Sequence, residues 1–287
     1  MKASIIIPTK DKLSRLRLTL RGLEHQMTDD VEIIVVFDGC KPEMIEQFQE
    51  LQFAFDPISI ICEQNVGRSA ARNLGISKAR GEMIIFLDDD RVPGPSFIQQ
   101  HIAGQSSTPC VLLGERLDSL ASEEEIEALF MSVSPAEQLD FLQARVVKKG
   151  LEKKLPLKPT GPLNWLTFFT GNVSVPREAL LRSGLFDENF KGWGHEDIDL
   201  GIRLSGEGLA FRQDSSILTY HLLHDSNFNV AERTRQSLVN LRYMLNKYKY
   251  RLPFWILLVL YLKQRLFGLS VHSQVMNHKP RAEHMKG

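Results

Sequence analysis

Cysteine is scarce in this chain of 287 residues: Cys40, Cys62 and Cys110 are all there is, and no CxxC pair occurs. That excludes a zinc ribbon, a redox dithiol and a disulfide-stapled miniprotein, and it suits reduced thiols in a cytoplasmic compartment. An excess of one charge is missing too. The 35 basic and 35 acidic side chains cancel, so nothing offsets the phosphates of a nucleic acid and no nucleic-acid partner is expected. Long apolar runs are also absent: Leu252–Leu262 has 11 residues, against about 20 for a bilayer-spanning helix. Near the amino end, three isoleucines between Ser4 and Pro8 are too few for the apolar stretch of a secretory signal. There is no GxxxxGK[ST], no GxGxxG after the first strand and no GxSxG. P-loop, dinucleotide-dehydrogenase and nucleophile-elbow chemistry are thereby disfavoured. Internal repeats and low-complexity tracts are not found.

What is present is the make-up of a folded protein, 43% apolar and 24% charged, long enough for one large core or two small ones. Ser4-Ile5-Ile6-Ile7 and Glu32-Ile33-Ile34-Val35-Val36-Phe37 are short β-branched runs, the mark of strands buried on both faces. Between them Leu13, Leu16, Leu20 and Leu23 recur at helical spacing. A helix near 42–51, a strand at Ser59–Cys62, a helix near 67–79 and a strand at Met83–Leu87 continue the series. This alternation predicts an α/β fold with a parallel sheet covered on both faces, whose ligands bind at the carboxyl ends of the strands. Beyond residue 105 the pattern loosens. Val111–Arg116 and Ser216–Tyr220 read as strands, 122–150 as one or two helices and 148–162 as a mobile, solvated loop. Residues 166–212 form a compact segment, and 229–270 a helical tail.

Four features carry chemistry. Asp88-Asp89-Asp90 follows the strand Met83–Leu87 directly. Three adjacent carboxylates repel one another unless a cation or ordered donors neutralise them, and hard divalent ions prefer such oxygens. Asp88 and Asp90, first and third in the turn, are the expected pair; a solvated acidic turn is the plainer alternative. Gly192-Trp193-Gly194-His195-Glu196-Asp197 opens a helix behind a glycine turn, where an indole can floor a sugar site and a carboxylate can take a proton from a hydroxyl. Carboxylates in a first helical turn are also favoured by the dipole alone, and Asp199 with Arg203 reads as a structural i,i+4 pair. Asn65–Asn73, with Arg68 and Arg72, opens a helix after a strand and suits an anion such as a diphosphate. His221 and His224 follow a strand and could supply a metal ligand.

As a set, Ser4–Thr9, Glu32–Gly39, Asn65–Asn73, Phe86–Asp90 and Gly192–Leu204 resemble the family 2 glycosyltransferases of the GT-A fold, over roughly residues 3–225. Thr170-Gly171-Asn172 ahead of Gly-Trp-Gly-x-Glu-Asp is similar to the acceptor half of galactosyl- and N-acetylgalactosaminyl-transferring relatives. The resemblance implies a metal-dependent, inverting transfer from a nucleoside-diphosphate sugar, UDP-linked by preference, to a carbohydrate or lipid-linked acceptor in polysaccharide or cell-envelope synthesis. It assigns Pro8, Thr9, Asp38, Arg72, Asp88, Asp89 and Trp193 to the donor. It assigns Asp90, Asp88 and His221, with His224 as second choice, to Mn2+ or Mg2+, Asp197 to the catalytic base and Glu196 to a sugar or acceptor hydroxyl. Phe37 stands where the family often has a first acidic residue, which bears on the nucleotide base.

The implied organisation is a glycosyltransferase domain at 1–228, with a nucleotide-binding half at 1–105 and an acceptor half at 106–228, and a tail at 229–287. Between Ala231 and Arg265 the tail has eight basic residues and one acidic, Glu232. Residues 231–270 are therefore set against three surfaces: a membrane interface on the inner face, the catalytic domain, or a second subunit of a homo-oligomer. Two other functions are weighed. A nucleotidyltransferase would leave Gly192–Leu204 without a role. A non-catalytic sugar- or nucleotide-binding scaffold would have no need of both acidic clusters.

Overall fold

Strands and helices alternate from the first residues onward: β1 (Ala3–Thr9), α1 (Leu13–Glu24), β2 (Val31–Asp38), α2 (Pro42–Gln49), β3 (Ile58–Cys62), α3 (Arg68–Lys78) and β4 (Met83–Leu87). The structure, a computed structural model, describes residues 1–106, 108–132, 135–147, 159–222, 230–249 and 251–267. It divides into two units, Met1–Asp225 and Ser226–Gly287.

In the first unit β1, β2 and β4 are buried along most or all of their length, as their β-branched runs require. The period of two splits their side chains between two cores. Ile5, Ile7, Ile33, Val35, Ile85 and Leu87 pack with α1 and α2. Ile6, Ile34, Val36, Ile84 and Phe86 pack with α3 on the other face. The chain continues through β5 (Arg91–Pro93), α4 (Phe97–Gln105), β6 (Cys110–Ser119), α5 (Glu123–Ser132), α6 (Pro135–Ala144) and β7 (Val146–Val147). A 3-10 turn at Asn164–Thr167 precedes β8 (Asn172–Pro176), α7 (Arg177–Arg182), α8 (Glu196–Gly206) and β9 (Ala210–Leu222).

The sheet order is β3-β2-β1-β4-β8-β6-β9-β5, with β7 beside β6. The first four strands are mutually parallel. Then β8 runs antiparallel to both β4 and β6, β6 and β9 are parallel, and β5 is antiparallel to β9. The expected parallel sheet thus forms one half of a mixed one. Three-residue β5, which contains Pro93, is too short to show a period in the sequence. Yet it decides the geometry of the site, because it carries the chain from the end of β4 to the far edge and sets Arg91 opposite His221. β6 and β9 are also longer than expected. Of the loop expected at 148–162, residues 148–158 lie outside the described residues, as does His224.

A buried polar cluster pins the junction. The Asn172 amide donates to the backbone oxygens of Glu115 (2.9 Å) and Ile217 (3.0 Å), and its Oδ1 faces His101 Nε2 at 3.0 Å. His101 Nδ1 meets Ser174 Oγ at 3.0 Å. Burial pushes His101 down to about 4, so the ring is neutral and serves as a structural link.

The second unit contains α9 (Val230–Lys247) and α10 (Leu252–Phe267), packed on each other. Gln264 Nε2 donates to Ser237 Oγ at 2.7 Å. Among the described residues no helix is long and apolar enough to cross a membrane.

Candidate active site

The carboxyl ends of β1 and β4 meet where the chain turns toward β5. Asp89 points inward. Its Oδ2 accepts from Thr9 Oγ1 at 2.8 Å and its Oδ1 from Lys12 Nζ at 3.0 Å. The same ammonium donates to Asp90 Oδ2 at 2.9 Å. His221, from β9, stands between two acids: Nδ1 is 3.1 Å from Asp118 Oδ1 and Nε2 is 3.7 Å from Asp90 Oδ2.

The titration behaviour follows from this packing. Burial pushes Asp89 up to about 6, against the pull of Lys12. Burial opposes ionisation of Asp90 as well, but His221 and Lys12 outweigh it and hold that carboxyl well below its ordinary value. Burial disfavours the charged forms of Lys12 and His221, yet the neighbouring aspartates raise both.

Arg72 joins this cluster to the start of α8. Its side chain is 4% exposed; Nη2 donates to Asp88 Oδ1 at 3.3 Å and Nη1 to Glu196 Oε1 at 3.2 Å. Asp197, next along α8, is partly buried. Burial first, and then the charge of Glu196, push it up to about 7, while Arg72 and Arg116 pull the other way. Arg116 lies 4.2 Å above the Phe169 ring. Arg91 sits with Nε 3.8 Å from Asp88 Oδ2, and burial and the charge of Arg116 lower its pKa.

Two glycine features hold this geometry. Gly192 (φ 71°), Gly194 (φ 94°) and His195 (φ 76°) are all left-handed. That conformation is easy for glycine and costs His195 about 1–2 kcal/mol, and the turn delivers Glu196 and Asp197 at the first positions of α8. Trp193 is partly buried within it. A Cβ on Gly171 would lie 2.5 Å from Arg91 Nε and 2.9 Å from Asp88 Oδ2, so only glycine lets β8 approach the aspartate turn.

Asp38, at the end of β2, turns toward the loop before α3. Its Oδ1 accepts from Val66 N at 2.6 Å and its Oδ2 from Gly67 N at 3.1 Å. Pro8 lies beside Thr9 at the end of β1. The structure thus brings Thr9, Arg72, Asp88, Asp89, Asp90, Glu196 and His221 into one linked cluster, with Asp197 adjoining. Asp38 holds a neighbouring loop, and Trp193 sits in the turn before α8.

The donors suit a hard divalent cation. Asp90 Oδ2 and His221 Nε2 are 3.7 Å apart, a gap that two ligands at about 2.1 Å from one ion can span, and Asp88 retains 35% side-chain exposure. Among the described residues no three such groups are already drawn together; Lys12 bridges Asp89 and Asp90 instead. Lys12, Arg91, Arg116 and Asp118 escaped the sequence reading. Lys12 lies just beyond β1 and Arg91 adjoins the aspartates, both at strand ends where polar groups gather. Arg116 and Asp118 alternate on one face of β6, a signal only once that strand's neighbours are known.

Residues 4–134 match the model of glycosyl transferase family 2, and residues 142–224 match that of the N-terminal domain of galactosyltransferase. The chain is a glycosyltransferase. This glycosyltransferase is 29% identical over 280 residues to the uncharacterized glycosyltransferase YfnE of Bacillus subtilis (strain 168), covering 86% of this chain and 71% of that one. Chondroitin synthase of Escherichia coli is 26% identical over 283 residues, and the match spans 86% of this chain but 38% of the synthase. Among solved structures, S. aureus TarS 1-349 in complex with UDP-GlcNAc aligns with a TM-score of 0.63 at 15% identity, over 98% of this chain and 77% of that one. The mannosyltransferase PcManGT of Pyrobaculum calidifontis aligns with a TM-score of 0.58 at 14% identity, over 86% and 63% of the two chains. The glycosyltransferase has the GT-A fold expected from its sequence.

Proposed function

We propose that this glycosyltransferase takes a sugar from a nucleoside diphosphate, UDP by preference, and joins it with inversion to a hydroxyl of a carbohydrate or lipid-linked acceptor. The observation that carries the reading is the double pairing of Arg72. One buried guanidinium meets Asp88 at the end of β4 and Glu196 at the start of α8, so the two acidic motifs act as one site. TarS was solved with UDP-GlcNAc and PcManGT with GDP-Man and Mn2+, which supports a nucleotide-linked donor. Relatives include chondroitin and hyaluronan synthases, which supports a polysaccharide product.

In this reading Asp197, poised at about 7, takes the proton of the acceptor hydroxyl as its oxygen attacks the anomeric carbon. The bond to the diphosphate oxygen breaks on the opposite face, so a single displacement inverts the centre and no carboxylate nucleophile is needed. Glu196, fixed by Arg72, orients a sugar or acceptor hydroxyl. Arg72 and Arg91 offer positive charge to the leaving diphosphate, and Trp193 offers an apolar face to a sugar ring. Pro8, Thr9 and the loop held by Asp38 shape the nucleotide side. Asp90, His221 and Asp88 would hold Mn2+ or Mg2+, which when bound offsets diphosphate charge.

Calorimetric titration of UDP, with Mn2+ and then with EDTA, on the wild type and Asp90→Ala tests this. UDP binding that needs the metal and fails in the variant is expected. Binding of GDP alone would move the donor, and no nucleotide binding would overturn the reading.

A further inference from the structure

We propose that α10 lies in the interface of an anionic lipid bilayer, seated through Trp255, Val259 and Leu262. These side chains are 68%, 64% and 45% exposed. At 100° per residue they fall within about 60° of arc on one side of the helix. The opposite side is occupied: Leu257 is fully buried, and Gln264 hydrogen-bonds Ser237 of α9; both lie about 180–200° from Trp255.

The flanks decide what covers this face. Lys263 and Arg265 are exposed and stand about 80° to either side of Trp255, so the apolar strip is bordered by a cation on each edge. Arg251, also exposed, extends the positive border at the amino end. α10 contains no acidic residue. Long basic side chains at such edges can reach up to lipid phosphates while the aromatic and aliphatic groups enter the acyl boundary. A second copy of the same face would set these cations against one another, whereas an anionic lipid surface complements them. With 16 residues, about 24 Å long, α10 is shorter than the roughly 30 Å hydrocarbon layer. The geometry is therefore that of a helix lying on the membrane. The proposal rests on the second unit alone and does not depend on the donor assignment.

The test is flotation of the full chain with phosphatidylcholine vesicles, with and without phosphatidylglycerol. Binding to the anionic vesicles is expected, weakening as salt is raised, and at least about fivefold weaker in W255E/V259E and in K263E/R265E. Circular dichroism of each variant checks that it folds. A second measurement is quenching of tryptophan emission by brominated lipid in the wild type and in W255F. Trp165 is buried and Trp193 partly buried while Trp255 is exposed, so the quenching is expected to be lost in W255F. Absence of flotation and quenching, or flotation unchanged in W255E/V259E, would overturn the proposal. So would sedimentation showing a dimer that W255E/V259E dissolves without any vesicle binding, which would make the occupant a second copy.

Discussion

Asp197, Asp89 and Asp90 share one chemistry and titrate in different directions, because burial and neighbouring charge are weighted differently at each. An unfolded aspartate ionises near 3.8, whereas folded Asp197 does so at about 7. Between those values the unfolded chain has released a proton that the folded chain retains, so stability falls as pH rises and is level above the folded value. Asp89 acts in the same sense up to about 6. Asp90 acts oppositely, contributing stability above the unfolded value that is lost as pH falls. Asp197→Asn is therefore expected to raise the melting temperature at pH 8 by roughly 2–4 °C while leaving it unchanged at pH 4. The same variant is expected to lower kcat roughly 10²- to 10⁴-fold, the scale of a general base. Wild-type activity should rise with pH through about 7, and that limb should vanish in the variant's pH–rate profile. Lys12 supplies a second prediction. Its ammonium occupies both Asp89 and Asp90, so Lys12→Met is expected to bind Mn2+ alone roughly five- to tenfold more tightly, as removal of a partly exposed ion pair implies. Titration calorimetry reads this directly.

At the scale of elements, α8 is the part whose placement governs the chemistry proposed for Glu196 and Asp197. A Cβ on Gly201 would come within 2.7 Å of the Trp165 backbone oxygen and 2.8 Å of Phe168 Cβ, so the helix rests directly on the 3-10 turn. Arg203 ties the same helix to its own Asp199 and to the Ser183 carbonyl, the structural pair that the i,i+4 spacing suggested. Gly201→Val is expected to cost about 1–3 kcal/mol by overpacking. It should also reduce activity more than nucleotide affinity, since it shifts Glu196 and Asp197 while sparing the β1 and β4 ends. Denaturant titration and a split of kcat from KM check both. Gly171→Ala, in the turn just before β8, acts on the other side, displacing Arg91 and Asp88, and weaker UDP binding is the expected calorimetric result.

At the scale of the whole molecule, every residue assigned to the reaction lies in the first unit, Met1–Asp225, and the exposed apolar strip lies in the second. W255E/V259E is accordingly expected to keep wild-type affinity for UDP while losing vesicle binding. The zero formal charge at pH 7 removes long-range self-repulsion, so turbidity of concentrated solutions should be greatest near neutral pH and fall on either side.

Local pattern was enough for much of this protein. β1, β2 and β4 announce themselves because a strand buried on both faces must be apolar throughout, and Asp88–Asp90 and Gly192–Asp197 because like charges and clustered glycines are costly without a purpose. Carboxyl-end placement of the polar residues followed from strand–helix alternation alone. Other features depended on pairings between distant segments. Whether β8 enters the sheet antiparallel, whether β5 crosses to β9, and hence that His221 meets Asp90 and Asp118, are set by long-range hydrogen bonding that leaves no period in the chain. The bridge of Lys12 between two aspartates and of Arg72 between Asp88 and Glu196 has the same origin. Residue types and spacing determined which groups could do the chemistry; tertiary structure decided which of them stand within reach, because burial and distance, not sequence order, set how strongly charges act on one another.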